Sequence, residues 1–266
     1  MFDLHTHSLY SFDSTIENGG ASIEQMCEQG IAMGLDGMAI TDHYELFSEE
    51  DKKKYSVPTF DLKKSKDDIS LLNEKYQGEF KVLFGIELGS PAQDPDFVKS
   101  LVKEHEFEFV VISSHKVAGI EDFWFLDYDN TDDKQLLVYW ENYLKELVKD
   151  ASIGIGDTIA HITYPYRYFK HNNRAYLIDL EKNYKEYYED VLKALIRNNI
   201  SLEINTAGLR YYLNDTLPTK AIVDFYFELG GRKITIGSDA HKICDVGQGF
   251  DVALSYLPES AILPHF

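Results

Sequence analysis

The chain has 266 residues, 44% hydrophobic and 27% charged, with 26 Lys and Arg against 45 Asp and Glu for a formal charge of −19. That is a folded globular composition with ample material for a core, and it excludes disordered, collagenous and coiled-coil chains. So acidic a surface repels a phosphate backbone, and Lys52-Lys53-Lys54, the one basic run, reads as a solvated loop, so no nucleic-acid partner is expected.

No run of about 18 apolar residues is present, so no membrane span is expected. Asp3, His5 and His7 interrupt the stretch a secretory leader needs, and the expectation is a cytoplasmic protein beginning at Met1. Cys27 and Cys244 stand outside any CxxC pattern, so no disulfide framework is expected. In chain order, seven short apolar runs read as buried strands: Phe2–Leu4, Gly37–Ile40, Lys81–Ile86, Glu108–Ile112, Asp157–Ala160, Ser201–Ile204 and Lys233–Ile236. Helical spacing separates them, in Ile23, Met26, Cys27, Ile31; in Leu136, Leu137, Trp140, Leu144, Leu147, Val148; in Tyr184, Tyr187, Tyr188, Val191, Leu192, Leu195; and in Ile222, Val223, Tyr226, Phe227. Glu45–Pro58 and Val117–Asp133 read as loops. Strands alternating with helices, with no linker or repeat, predict an α/β barrel of parallel strands in a single domain spanning residues 1–266.

The informative residues stand directly after the strands. The first strand leads to His5 and His7, the second to Asp42-His43, the third to Glu87, and the fourth to His115. The fifth leads to His161, the sixth to Glu203 and Asn205, and the seventh to Asp239 and His241. In a parallel barrel the C-terminal strand ends converge on one mouth, where active sites form. Six of the nine histidines therefore fall in one small volume; His105, His171 and His265 read as a helix end, a loop and the C-terminus. The i, i+2 pairs His5/His7 and Asp239/His241 share a face of an extended backbone. A lone His-x-His pair is commonly a hydrogen-bonded core feature, but seven strand ends carrying candidate ligands are not. Imidazoles and carboxylates without thiolates suit zinc, iron or manganese, and there are more than one tetrahedral ion needs.

Asp3-Leu-His5-Thr-His7-Ser, Ile40-Thr-Asp42-His43, Gly85-Ile-Glu87, Ser114-His115 and His161 resemble, in order, the motifs of the polymerase and histidinol phosphatase (PHP) family. Leu202-Glu-Ile-Asn-Thr-Ala-Gly-Leu-Arg210 and Ile236-Gly-Ser-Asp-Ala-His241 resemble its histidinol-phosphatase branch. The resemblance implies a distorted seven-stranded (β/α)7 TIM-like barrel with three divalent metal ions, zinc first and manganese or iron as alternatives. It implies His5, His7, Glu87 and Asp239 on the first ion, and His115 and His161 on a second, bridged by Glu87. The third would take His43, His241 and Asp13, where Asp13 replaces a histidine of other members.

The activity implied is hydrolysis of L-histidinol phosphate, in histidine biosynthesis, by attack of a metal-bridging hydroxide. Three divalent ions outweigh the ligand carboxylates, so the site is positive enough for a phosphomonoester dianion despite the acidic chain. Arg167 and Arg210 stand at positions where the family carries arginine and are expected on the phosphate, with Lys116 a weaker candidate. Asp239 or His241 is expected to give the leaving alkoxide its proton, with Glu87 catalytic through the ions it bridges. Phe123, Trp124, Phe125, Tyr164 and Tyr166 are candidates to stack on an imidazole ring. The competing readings are a PHP exonuclease or nucleotide phosphoesterase, which a basic track would favour, and a non-catalytic barrel, which a missing ligand would favour. Oligomeric state is not legible.

Overall fold

A computed structural model of the chain describes residues 1–46 and 61–266. Lys52-Lys53-Lys54 and most of the expected Glu45–Pro58 loop lie outside the described residues. The strands are β1 (Phe2–Thr6), β2 (Gly37–Ile40), β3 (His43–Glu45), β4 (Lys81–Gly89), β5 (Phe109–Ser113), β6 (Thr158–Ile159), β7 (Ser201–Asn205) and β8 (Ile234–Gly237). They form one sheet in the order β1-β2-β4-β5-β6-β7-β8, every pairing parallel, with β3 also on β4. The sheet curls until β8 meets β1: the Asp239 N–H donates to His5 O at 2.8 Å and the His7 N–H to Ala240 O at 2.9 Å. The result is a nearly closed barrel of seven parallel strands.

The third strand in sequence, His43–Glu45, is not among the expected strands, and its last residue corrects the start of the expected Glu45–Pro58 loop. β2 pairs with Lys81–Phe84 and β3 with Glu87–Gly89, so one barrel strand is broken at Thr41-Asp42 and resumes along the same neighbour. Glu45 therefore belongs to the barrel wall.

Helices run outside the strands: α1 (Ile23–Ala32), α2 (Leu62–Lys75), α3 (Pro95–His105), α4 (Asp133–Ala151), α5 (Tyr164–His171), α6 (Leu180–Asn198), α7 (Lys220–Glu228) and α8 (Phe250–Ser255). Local chemistry starts several of them. Ser22 and Gln25 form a reciprocal capping box on α1, and Asp132 accepts the Gln135 N–H at the start of α4. Alternate strand residues bury on two sides. Met38, Ile40, Val82, Phe84, Val110 and Ile112 join the large core under the helices. Leu4, Ala39, Leu83, Phe109, Val111 and Ala160 form a separate inner cluster that plugs the barrel below its mouth. Among the described residues, no helix is long and apolar enough to cross a membrane.

Candidate metal centre and cavity

Strand register decides which side chains meet at the mouth. Along β1 the pairing slips by one residue between Asp3 and Thr6. A one-residue slip reverses the alternation, so His5 and His7 turn into the barrel although Leu4, before them, belongs to its inner cluster. Their rings stand 5.0 Å apart. The other i, i+2 pair differs from expectation: Asp239 has φ 53°, so Asp239 and His241 meet across a bend rather than along an extended strand. His161 has φ 28°. Both are backbone conformations that side-chain-bearing residues avoid, and they occur here at proposed ligands.

Glu87 lies at the centre, buried within β4. Its Oε2 is 2.9 Å from His43 Nδ1, 3.2 Å from His5 Nε2 and 3.4 Å from His7 Nε2. Its Oε1 is 3.2 Å from His161 Nε2 and 3.3 Å from His115 Nε2. Asp239 Oδ1 is 3.3 Å from His7 Nε2 and 3.5 Å from His241 Nδ1. Asp13 Oδ2 is 2.9 Å from His241 Nε2 and 3.3 Å from His43 Nε2. His5, His7, Asp13, His43, Glu87, His115, His161, Asp239 and His241 are all brought to one end of the barrel.

This arrangement fits a group of divalent cations. Four overlapping sets have donor atoms within 4.8 Å of one another: His7/His43/His241, His5/His7/Glu87, His5/His161/Asp239 and His43/Glu87/His115. Both ring nitrogens of His7 and Nδ1 of His161 are buried without a hydrogen-bond partner among the described residues. Such atoms are costly to leave unpaired, and a nitrogen- and oxygen-only donor set suits zinc, manganese or iron. The protons point the same way. Burial, with His241 and His43 close by, pushes His7 down to about 3, leaving it the neutral ligand form. Burial opposes charge on His5, yet Glu203, Glu87 and Asp239 raise it well above its ordinary value. Burial equally opposes charge on Glu87, yet His43, His5 and His115 hold it well below the usual carboxylate range. The cluster keeps protons that divalent ions would displace.

Several supporting residues escaped the sequence reading. Glu203 was visible as a strand-end acid but without a role: its Oε1 accepts from His5 Nδ1 at 2.6 Å and its Oε2 from the His161 N–H at 2.8 Å. Glu45, expected in a loop, stands 2.7 Å from His115 Nδ1. Each carboxylate fixes the outer nitrogen of a ring whose inner nitrogen faces Glu87, the usual carboxylate–histidine support of a metal site. Asp3 accepts the Ser238 and Gly247 N–H groups, and Asp42 accepts the Ser8 N–H and hydroxyl, so two more buried acids hold the loops bearing the ligands. Room for Glu203 depends on Gly237, where a Cβ would overlap the Glu203 carboxylate and the His5 Cβ.

Above the cluster opens a cavity of about 500 Å³, its wall including Asp122, Trp124, Tyr164, Arg167, Lys116 and Lys242. Arg167 stacks on Tyr164 and Tyr168, 4.5 and 4.8 Å from the ring centroids, with Nε unpaired among the described residues. Lys116 reaches the wall, and Lys242, passed over in the sequence, joins it. Arg210 is not on that wall: it donates to Ser238 O and pairs through Nε with Asp245 at 3.4 Å, with Nη1 unpaired among the described residues. Phe123 is fully buried core, which removes it as a stacking candidate, whereas Trp124 and Phe125 are exposed. Among the remaining histidines, His105 ends α3 as expected, but His171 ends α5 rather than lying in a loop and packs on Tyr212 with ring centroids 3.9 Å apart.

Residues 3–207 match the PHP domain. A protein of Clostridium acetobutylicum described as "Probable histidinol-phosphatase" is 31% identical over 273 residues, covering 100% of this chain and 96% of its own. A crystal structure from Listeria monocytogenes superposes with a TM-score of 0.79 at 21% identity, covering 95% of this chain and 99% of that one. Histidinol phosphate phosphatase from Lactococcus lactis, solved with Zn, L-histidinol and phosphate, gives 0.74 at 19% identity, covering 96% and 93%. Both structures share the barrel.

Proposed function

This chain belongs to the PHP domain family, and on that premise we propose that it is a metal-dependent phosphatase that hydrolyses L-histidinol phosphate. One observation carries the reading: buried Glu87 approaches His5 and His7 through Oε2 and His115 and His161 through Oε1, while His43, also near Oε2 through Nδ1, turns Nε2 to Asp13. A carboxylate so placed would serve two cations at once. The name of the Clostridium acetobutylicum relative and the product complex of the Lactococcus lactis protein support the substrate. The zinc in that complex supports the metal.

In this reading His5, His7, Glu87 and Asp239 would hold a first ion, Glu87, His115 and His161 a second, and His43, His241 and Asp13 a third. Bound there, divalent ions supply positive charge for the phosphate and lower the pKa of a coordinated water. The chain's own residues do the rest. Arg167 is held flat by two tyrosine rings with its Nε free of any described partner, which suits a phosphate oxygen. Lys116 and Lys242 add positive charge on the rim. Arg210 keeps Nη1 for the same anion while its other contacts hold the segment before Asp239. Asp239 and His241 border the cavity, which supports one or the other as the donor of the proton that the leaving alkoxide takes. Glu203 and Glu45 keep His5 and His115 from turning.

The test is phosphate release by zinc-loaded protein from L-histidinol phosphate and from p-nitrophenyl phosphate. The expected kcat/KM preference for the former is about 100-fold or more, as a site built to pair polar substrate groups achieves. Equal values for the two esters overturn the substrate assignment.

A further inference from the structure

Asp122 lies between β5 and α4 on the cavity wall, with Tyr164 and His115 part of the same wall. Its Oδ1 accepts two hydrogen bonds, from the Tyr164 hydroxyl at 2.7 Å and the Trp124 N–H at 2.8 Å. Neither bond uses Oδ2. A carboxylate fixed by one oxygen, with the other left over inside a cavity, is a receptor for a cation.

Tyr164 spaces this acid from the anion-binding side of the site. The Arg167 guanidinium lies 4.5 Å above the Tyr164 ring, and the hydroxyl of the same ring bonds Asp122. The cavity thus presents a cation and an anion separated by one tyrosine. A substrate with a phosphate at one end and a positive group a few atoms away would satisfy both. Resting on the reading that the ester phosphate sits at the Glu87 cluster beside Arg167, we propose that Asp122 binds the protonated amine of the substrate's alcohol portion and makes the site selective for phosphate esters of amino alcohols. An ester without the amine forgoes the charge-assisted contact to Oδ2 and binds more weakly. Trp124, 57% exposed and packed edge-on against Tyr168, offers its face to the rest of the alcohol.

A purely local role for Asp122 is to close the turn through Oδ1. Asp122→Asn keeps that acceptor and removes the charge, so it separates the two roles. The comparison is kcat/KM for L-histidinol phosphate against the same ester lacking its amine, in wild type and variant, with the melting temperature confirming the fold. The preference for the amine falls about 30-fold in the variant, the worth of one charge-assisted hydrogen bond. Binding of L-histidinol itself, followed by tryptophan fluorescence, weakens by a similar factor. An equal loss on both esters, or an unchanged preference, overturns the proposal. Should the wild type turn over neither ester, it is the functional reading above that fails, and the L-histidinol binding comparison alone decides for or against Asp122.

Discussion

Glu203 illustrates how much of the site rests on residues that touch no cation in the proposed scheme. One carboxylate holds the outer nitrogen of His5 and the backbone of His161, joining residues assigned to two different ions. Glu203→Gln keeps the shape but cannot accept through both atoms, so one contact is lost together with the charge. Removing such a partner costs about 10- to 100-fold in metal affinity. Zinc competition against a chelator should read a loss of that size, and unchanged affinity would contradict the supporting role. The sequence presented Glu203 plainly, yet a supporting acid and a ligating acid are the same residue type at the same kind of position. Only the 2.6 Å approach to His5 Nδ1 distinguishes them. Asp13 was legible through the family pattern, and its place between His43 and His241 accords with that reading.

Among the elements, α4 is tied through Asp150 to Ser114, the neighbour of His115. That fully buried side chain accepts the Ala92 N–H at 2.8 Å and bonds the Ser114 hydroxyl, tying the helix to the segments after β4 and β5. Burial pushes its carboxyl up from 3.8 to about 7, against the lowering effect of those hydrogen bonds. The folded state therefore keeps a proton that the unfolded chain has released. Stability from this group falls as pH rises from about 4 toward 7, then levels. Asp150→Asn has no proton to lose and should flatten the change in melting temperature between about pH 5 and 8. A slope equal to that of wild type would contradict this.

All seven expected strands exist, and the errors in their bounds have physical causes. The apolar run Phe2–Leu4 ends at polar His5, whereas β1 runs to Thr6 through its register slip. β4 runs on to Gly89 because β3 pairs with its second half. Polar His43–Glu45 carries no strand pattern of its own and is held extended by its neighbour. The short α5 and α8 lack enough turns to declare a period.

Across the molecule, a chain of formal charge −19 concentrates six of its nine histidines at one end of a barrel. Strand order was readable because parallel connections leave few alternatives, and the gathering of distant residues came with it. The wall above the cluster was legible only in part: Arg167, Lys116, Trp124, Phe125 and Tyr164 line it, whereas the presence of Asp122 and Lys242 there depends on loop conformation. The contacts of Arg210 to Ser238 and Asp245 likewise depend on loop conformation and are not readable from its position in the chain.

That residues from separate strands hold several cations around Glu87 is open to a direct check. Metal analysis of the purified protein by mass spectrometry, alongside Glu87→Ala, supplies it. About three divalent ions per folded chain are expected, with the loss of at least two when the bridging carboxylate is removed. A folded chain that takes up no zinc, or a Glu87→Ala variant that retains the full complement, would contradict it.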